Sequence, residues 1–352
     1  MQQLPKNRVI VASAGSRKTT HLVEEALARS TKRILVTTFT NENLEQLRSY
    51  FIARHGCVPR NVTLITWYAF LLQECARPYQ RTLTVGSRIN SIFFDALPQA
   101  VTRVKKVRAD QYYLTRTRDL YRDRAAEFVC GVDDLSDGLV VGRLERIFDC
   151  VFIDEVQDLA SYDLDLLDKL FDSKMEVICV GDPRQATFST NRGLKNSKYA
   201  GGAGFMKWLK EPGRAKRLTM EERTQSFRCN QSICDFADAL YPDLPKTESV
   251  DVAATPHDGI FFVSEEEVPE YVTTYAPVVL RYDKRAKTLG LRALNFGASK
   301  GRTYDRILIF PTKPMKAYLA TNDLSSAGDI AKFYVAVTRA RFSVAFVAVA
   351  PH

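Results

Sequence analysis

Residues Arg8 to Thr20, Arg-Val-Ile-Val-Ala-Ser-Ala-Gly-Ser-Arg-Lys-Thr-Thr, leave little freedom in how this chain folds. Val9 to Val11 are a short apolar run of the kind that becomes a buried strand. Ala12 to Arg17 are small or polar and predict a turn. Lys18, Thr19 and Thr20 open a run with Leu22, Val23, Ala26 and Leu27 at helical spacing. Strand, small-residue loop, Lys-Thr and helix form, in that order, a phosphate-binding loop. Backbone N–H groups and the helix N-terminus face the polyphosphate, the Lys reaches its terminal phosphates, and the Thr hydroxyl ligates Mg²⁺. Candidate phosphate contacts are Ala14, Gly15, Ser16, Arg17, Lys18, Thr19 and Thr20, with Thr19 also a metal ligand. Two positions depart from the motif G-x-x-x-x-G-K-[ST], because Ala12 and Arg17 stand where it has glycine. Arg17 is the larger change, since backbone approaches phosphate closely there and a side chain takes room. Read alone, the stretch fits a basic turn between strand and helix equally well.

The rest of the chain continues the alternation. Arg33 to Thr38 and Val62 to Thr66 are further strands. Helices are predicted through Leu44, Leu47, Tyr50 and Phe51, with Asn41 as N-cap, and from Trp67 to Ala76. Phe148 to Ile153 and Val177 to Val180 are two more strands, and Lys216 to Met220 is either the last strand of this lobe or the crossing to the next. Such alternation predicts a parallel sheet covered on both faces. The strand from Phe148 runs into Asp154-Glu-Val-Gln-Asp158, and the one from Val177 into Gly181-Asp-Pro-Arg-Gln185. Carboxylates at the C-terminal end of a parallel strand lie where such sheets bind ligands. Asp154 is suited to hold Mg²⁺ through water, and Glu155 to orient or deprotonate a water beside a terminal phosphate. Gly193 to Gly213, rich in Gly and Lys, predicts a mobile loop. Three later strands, Gly259 to Val263, Pro277 to Leu280 and Arg306 to Phe310, precede a helix from Ile330 to Arg339 and a strand from Ser343 to Val349.

Composition narrows the class. A chain of 352 residues has room for two domains, and 45% apolar with 26% charged residues describes a soluble globular protein. The net charge of +9 favours a polyanionic partner, most simply nucleic acid. Seven scattered Cys without a C-x-x-C pair, and four His, argue against zinc and for reduced thiols in a cytoplasmic protein. No signal peptide or membrane span is expected. From Arg103 to Arg124, eight Lys or Arg stand against three Asp and interleave with Tyr112, Tyr113 and Tyr121. This segment reads either as a solvated helical surface or as a nucleic-acid face, with cations for phosphates and rings for bases.

Taken together, the stretches resemble the UvrD/Rep-type superfamily 1 DNA helicases from end to end. Asp154-Glu-Val-Gln-Asp158, Gly181-Asp-Pro-Arg-Gln185 and Tyr334-Val-Ala-Val-Thr-Arg-Ala-Arg341 match the family's DExQD, GDxxQ and VALTRAR boxes in order. The resemblance implies an α/β fold of two RecA-like lobes, with ATP and Mg²⁺ between them and single-stranded DNA, or duplex junctions, across both. It divides the chain into a first lobe of residues 1–76 and 139–215, a small basic helical insertion at 77–138, and a second lobe at 216–352. It implies that Lys18 and Thr19 hold phosphate and Mg²⁺, Asp154 is the metal carboxylate and Glu155 the base. Gln185 would sense the γ-phosphate, Phe227 stack on the nucleobase, and Arg228 and Arg339 act as arginine fingers. Thr38, Phe39, Asn41, Thr66, Trp67, Phe188 and Lys300 fall at the family's DNA-contacting positions. Translocation would run 3′ to 5′. The family's large insertion between Arg228 and Lys300 is missing, which leaves room for a protein partner that supplies it. The family's adenine-reading Gln has no counterpart at Gln2 or Gln3, which predicts relaxed base specificity. Two other readings fit: a nucleotide-gated DNA-binding subunit with crippled hydrolysis, for which Arg17 speaks, and an RNA helicase.

Overall fold

The computed structural model describes residues 5–86, 88–190, 193–250 and 253–348. Gln2, Gln3 and Val349 lie outside the described residues. The chain divides into two compact units. The first holds the chain up to Val11, Lys18–Pro183 and Phe188–Glu221; the second holds Ala12–Arg17, Arg184–Thr187 and everything from Glu222 onward.

The first unit is built on a sheet whose strands are β1 (Asn7–Ala12), β2 (Ile34–Thr38), β3 (Val62–Thr66), β4 (Cys150–Asp154), β5 (Glu176–Gly181) and β6 (Leu218–Arg223), in spatial order β3-β2-β4-β5-β1-β6. From β3 to β1 every pairing is parallel. All residues of β2 and β4 are buried, which is why both read as near-continuous apolar runs. The stretch Lys216 to Met220 is thereby resolved as strand β6, beside β1. Helix α1 (Lys18–Ala28) follows the phosphate loop and buries Leu22, Val23 and Ala26. Helix α2 (Asn41–His55) is capped one residue earlier than expected, because the Thr40 hydroxyl accepts the Asn43 N–H. The helix from Trp67 begins as an α-turn and widens to a π-helix over Phe70–Ala76.

Between Arg77 and Gly138 lie short turns, a parallel pair Ile92–Phe93 with Leu120–Tyr121, and helix α3 (Ala125–Leu135). Phe128, Val129 and Val132 of α3 join the same core as the sheet. The interleaved tyrosines are not a free stacking surface. Tyr113 and Tyr121 are buried, and the Arg124 guanidinium lies 3.6 Å from the Tyr112 ring centroid. Gly193 to Gly213 is not a loop throughout, since Gly201–Leu209 is a helix. Its glycines serve close packing: a Cβ on Gly202 would lie 1.7 Å from the Pro183 carbonyl oxygen, and one on Gly204 2.4 Å from the Tyr199 backbone.

The second unit has a five-stranded all-parallel sheet of β7 (Gly259–Val263), β8 (Val278–Arg281), β9 (Leu294–Asn295), β10 (Tyr304–Phe310) and β11 (Ala340–Val347), in order β7-β11-β10-β8-β9. Helix Ile330–Val337 precedes β11 and is buried along Phe333 to Val337. No described helix is long and apolar enough to cross a membrane.

Candidate functional site

In the first unit the strand register brings the chemistry together. Ile10 of β1 pairs with Val180 of β5, and Val180 pairs with Asp154 of β4. The C-terminal ends of three parallel strands therefore stop at one level, with α1 starting beyond β1. The Thr19 hydroxyl donates to Asp154 Oδ2 at 3.0 Å, and Lys18 Nζ lies 3.5 Å from Glu155 Oε1. Thr20 follows in the first turn of α1 and is half-buried. Asp154 is 3% exposed, and its carboxyl is pushed up to about 6, first by burial and then by the neighbouring Glu155 charge. Glu155 sits in the left-handed region at φ 57°, a conformation a non-glycine residue adopts only where its surroundings enforce it. The enforcement is visible. Its N–H donates to Asp154 Oδ1 at 2.9 Å, and the Gln157 amide donates to its Oε2. Gln157 in turn accepts the Asp182 N–H at 3.0 Å. A Cβ on Gly181 would lie 2.3 Å from Gln157 Oε1, so a side chain there would displace the amide that holds Glu155.

The second unit carries the rest of the phosphate loop. The Ser13 N–H donates to Arg223 O at 2.9 Å, the Ala14 N–H to the Tyr334 hydroxyl at 3.3 Å, and the Ser16 N–H to Ser13 O at 3.2 Å. Gly15 has φ 79°, and a Cβ there would sit 2.5 Å from Ser226 Oγ and 2.8 Å from Arg228 Cβ. Its carbonyl accepts the Phe227 N–H at 3.0 Å. Arg17 is also left-handed, at φ 56°, and its guanidinium lies 4.0 Å from the Phe227 ring centroid. Arg228 donates to Thr338 O at 3.1 Å. Arg339 is 1% exposed and donates to Val335 O at 2.8 Å, to Thr338 Oγ1 at 3.2 Å and to Gln185 Oε1 at 3.4 Å. Lys300 donates to Gln185 O at 3.3 Å. Gln185, Arg228, Arg339 and Lys300 thus form one connected group.

The remaining predicted contacts divide by exposure. Asn41 is exposed, Phe39 half-buried and Phe188 exposed. Thr38 is buried, and Thr66 spends its hydroxyl on the Ala69 N–H as a helix cap. Trp67 is 1% exposed and its indole N–H donates to Asp163 at 2.7 Å, so its ring belongs to the core and is not a surface for bases. Asp163 has no sequence context that singles it out, yet it organises this region. It also accepts from the Thr190 hydroxyl, while Tyr68 donates to Thr190 O. Burial pushes the Asp163 carboxyl up to about 6. Arg184 is the other residue that sequence reasoning misses. Buried at 2% exposure, it donates to Ser13 Oγ at 3.4 Å and accepts a bond at its carbonyl from Tyr241.

Residues 121–193 match the UvrD/REP helicase N-terminal domain. No curated protein matches the chain. Among solved structures, the complex of arterivirus nonstructural protein 10 (helicase) with DNA aligns at TM-score 0.50 and 15% identity, over 97% of this chain and 60% of that one. The crystal structure of that arterivirus protein aligns at 0.48 and 16%, over 96% and 59%. The PRRSV helicase aligns at 0.47 and 16%, over 97% and 52%. The chain therefore spans between 52% and 60% of the length of these structures.

Proposed function

We infer an ATP-driven translocase or helicase on single-stranded DNA, moving 3′ to 5′, from a fold similar to that of the arterivirus helicase and from the match of residues 121–193 to the UvrD/REP helicase N-terminal domain. The observation that carries this reading is the double pairing at the strand ends, Thr19 with Asp154 and Lys18 with Glu155. Thr19 and Asp154 offer two hard oxygen donors in contact, a set that suits Mg²⁺. When bound, the ion neutralises charge on the phosphates. Lys18 leaves Glu155 for the terminal phosphate, and the freed carboxylate orients the attacking water and takes its proton. The Gln157 amide holds Glu155 in place for that task. Gln185, Arg228 and Arg339 meet the charge that develops on the γ-phosphate. Phe227 takes the nucleobase. Phe39, Asn41, Phe188 and Lys300 meet the strand, with residues 77–138 as a basic insertion in the first lobe.

A second reading, a nucleotide-gated binding subunit with little hydrolysis, draws on the left-handed Arg17 over Phe227. One experiment tests both: steady-state ATP turnover without nucleic acid, with single-stranded DNA and with single-stranded RNA, for the native chain and Glu155→Gln. DNA-stimulated turnover is expected, falling by several orders of magnitude in Glu155→Gln while nucleotide binding survives. Undiminished turnover in Glu155→Gln would remove Glu155 from its role. Absence of turnover in the native chain would favour the binding subunit, and stimulation by RNA alone an RNA motor.

A further inference from the structure

We propose that Arg17 is a displaceable cap on the nucleobase platform, so that a nucleotide binds only by moving the guanidinium off Phe227. The inference rests on the assignment of Phe227 to the base under the proposed function.

Three observations converge on it. First, Arg17 holds a backbone conformation that disfavours every residue but glycine, and the position is glycine in the motif it departs from. A strained residue persists where something else rewards it. The reward here is the Phe227 ring, which the guanidinium covers at 4.0 Å from the centroid. That separation is direct contact and leaves no space for a base between the two. Second, the loop is tied to the platform. Phe227 donates to Gly15 O, while the N–H groups of Ser13, Ala14 and Ser16 are spent on Arg223, Tyr334 and Ser13. These bonds hold the loop beside the ring, so the guanidinium, and not the loop, is what a base must displace. Third, the adjoining space is built for a polar ligand. Ser16, Gln225, Phe227 and Glu248 line a cavity of about 460 Å³. Ser16 is 5% exposed, and its hydroxyl has no hydrogen-bond partner among the described residues. A buried hydroxyl left so costs free energy that a ligand recovers.

The cap competes with the base and not with the phosphates. Its removal therefore changes the affinity for ATP relative to inorganic tripolyphosphate, which has no base. Dissociation constants for both are measured on the native chain, Arg17→Gly, Arg17→Lys and Phe227→Ala. Arg17→Gly is expected to bind ATP about three- to fivefold tighter, the equivalent of one exposed cation–π interaction, with tripolyphosphate no tighter. Arg17→Lys, which keeps a cation but not the planar stack, should fall between. A second readout is spectroscopic: the Arg17 Nε–H resonance, shifted by the ring in the free protein, should return to its ordinary position when ATP is added and stay shifted with tripolyphosphate. Equal changes for the two ligands, or weaker binding of both by Arg17→Gly, would overturn the cap and make Arg17 a phosphate ligand. Phe227→Ala separates the cap from the platform beneath it. If it leaves the preference for ATP over tripolyphosphate intact, the base assignment itself fails; if it abolishes the preference while Arg17→Gly changes nothing, only the cap fails.

Discussion

Arg339 shows how one residue is both structural and, on the proposed reading, chemical. Its guanidinium is buried and donates to the Val335 carbonyl, the Thr338 hydroxyl and Gln185. A finger on the developing γ-phosphate charge is worth about 10³–10⁵ in rate. Arg339→Ala should therefore lose DNA-stimulated turnover on that scale while ATP affinity without DNA falls much less. Arg339→Lys keeps the charge but loses the planar fork, and should also be severely slowed. The burial adds an expectation that the sequence does not: Arg339→Ala should lower the thermal midpoint, because it leaves buried carbonyls without their hydrogen-bond donor. Rate and affinity measured on the same preparation separate the roles. A surviving rate with collapsed affinity would make Arg339 a ground-state binding residue. Glu155 is legible as the carboxylate after a buried strand; that Gln157 holds it left-handed is not, since no propensity favours that conformation in Glu.

At the scale of elements, β2 and β4 are the most readable strands, because both are buried along their whole length and so carry near-continuous apolar runs. The stretch from Gly193 to Gly213 misleads, because glycine counts as a loop signal unless its missing side chain is what lets a neighbour approach. Gly202 against Pro183 and Gly204 against Tyr199 are of the second kind. The basic segment from Arg103 to Arg124 divides in the same way. Arg124 is a core residue packed on Tyr112 and bonded to the Val101 carbonyl, so its replacement by Ala should cost stability first. Arg103, Lys105, Arg108 and Arg116 are exposed. Replacing these four by Ala should weaken single-strand binding and flatten its salt dependence, by roughly one unit of slope or less for each phosphate no longer neutralised. An unchanged slope would return the segment to an ordinary solvated surface.

For the whole molecule, a net charge of +9 suits a polyanion, and the proposed binding to nucleic acid should weaken steeply with salt. The proposed 3′ to 5′ movement has a direct readout. On single-stranded DNA carrying a terminal biotin, the chain should displace streptavidin in an ATP-dependent way from the 5′ end and not from the 3′ end. The opposite pattern would reverse the polarity, and displacement from neither end with ATP turnover intact would leave an ATPase that does not translocate.

What the sequence determined by itself was local chemistry and order: a strand feeding a Lys-Thr helix, carboxylates after a buried strand, and an Arg-rich box near the end of the chain. These are patterns of neighbours along the backbone, and their physics is complete within a few residues. Tertiary structure alone decided what depends on residues far apart in sequence. It sent Trp67 into the core against Asp163, joined Gln185 to Arg339 across 154 positions, and laid Arg17 on Phe227. The motifs already assign Gln185 and Arg339 to one phosphate, but the burial, close approach and compensated strain behind all three contacts exist only once the chain has folded back on itself.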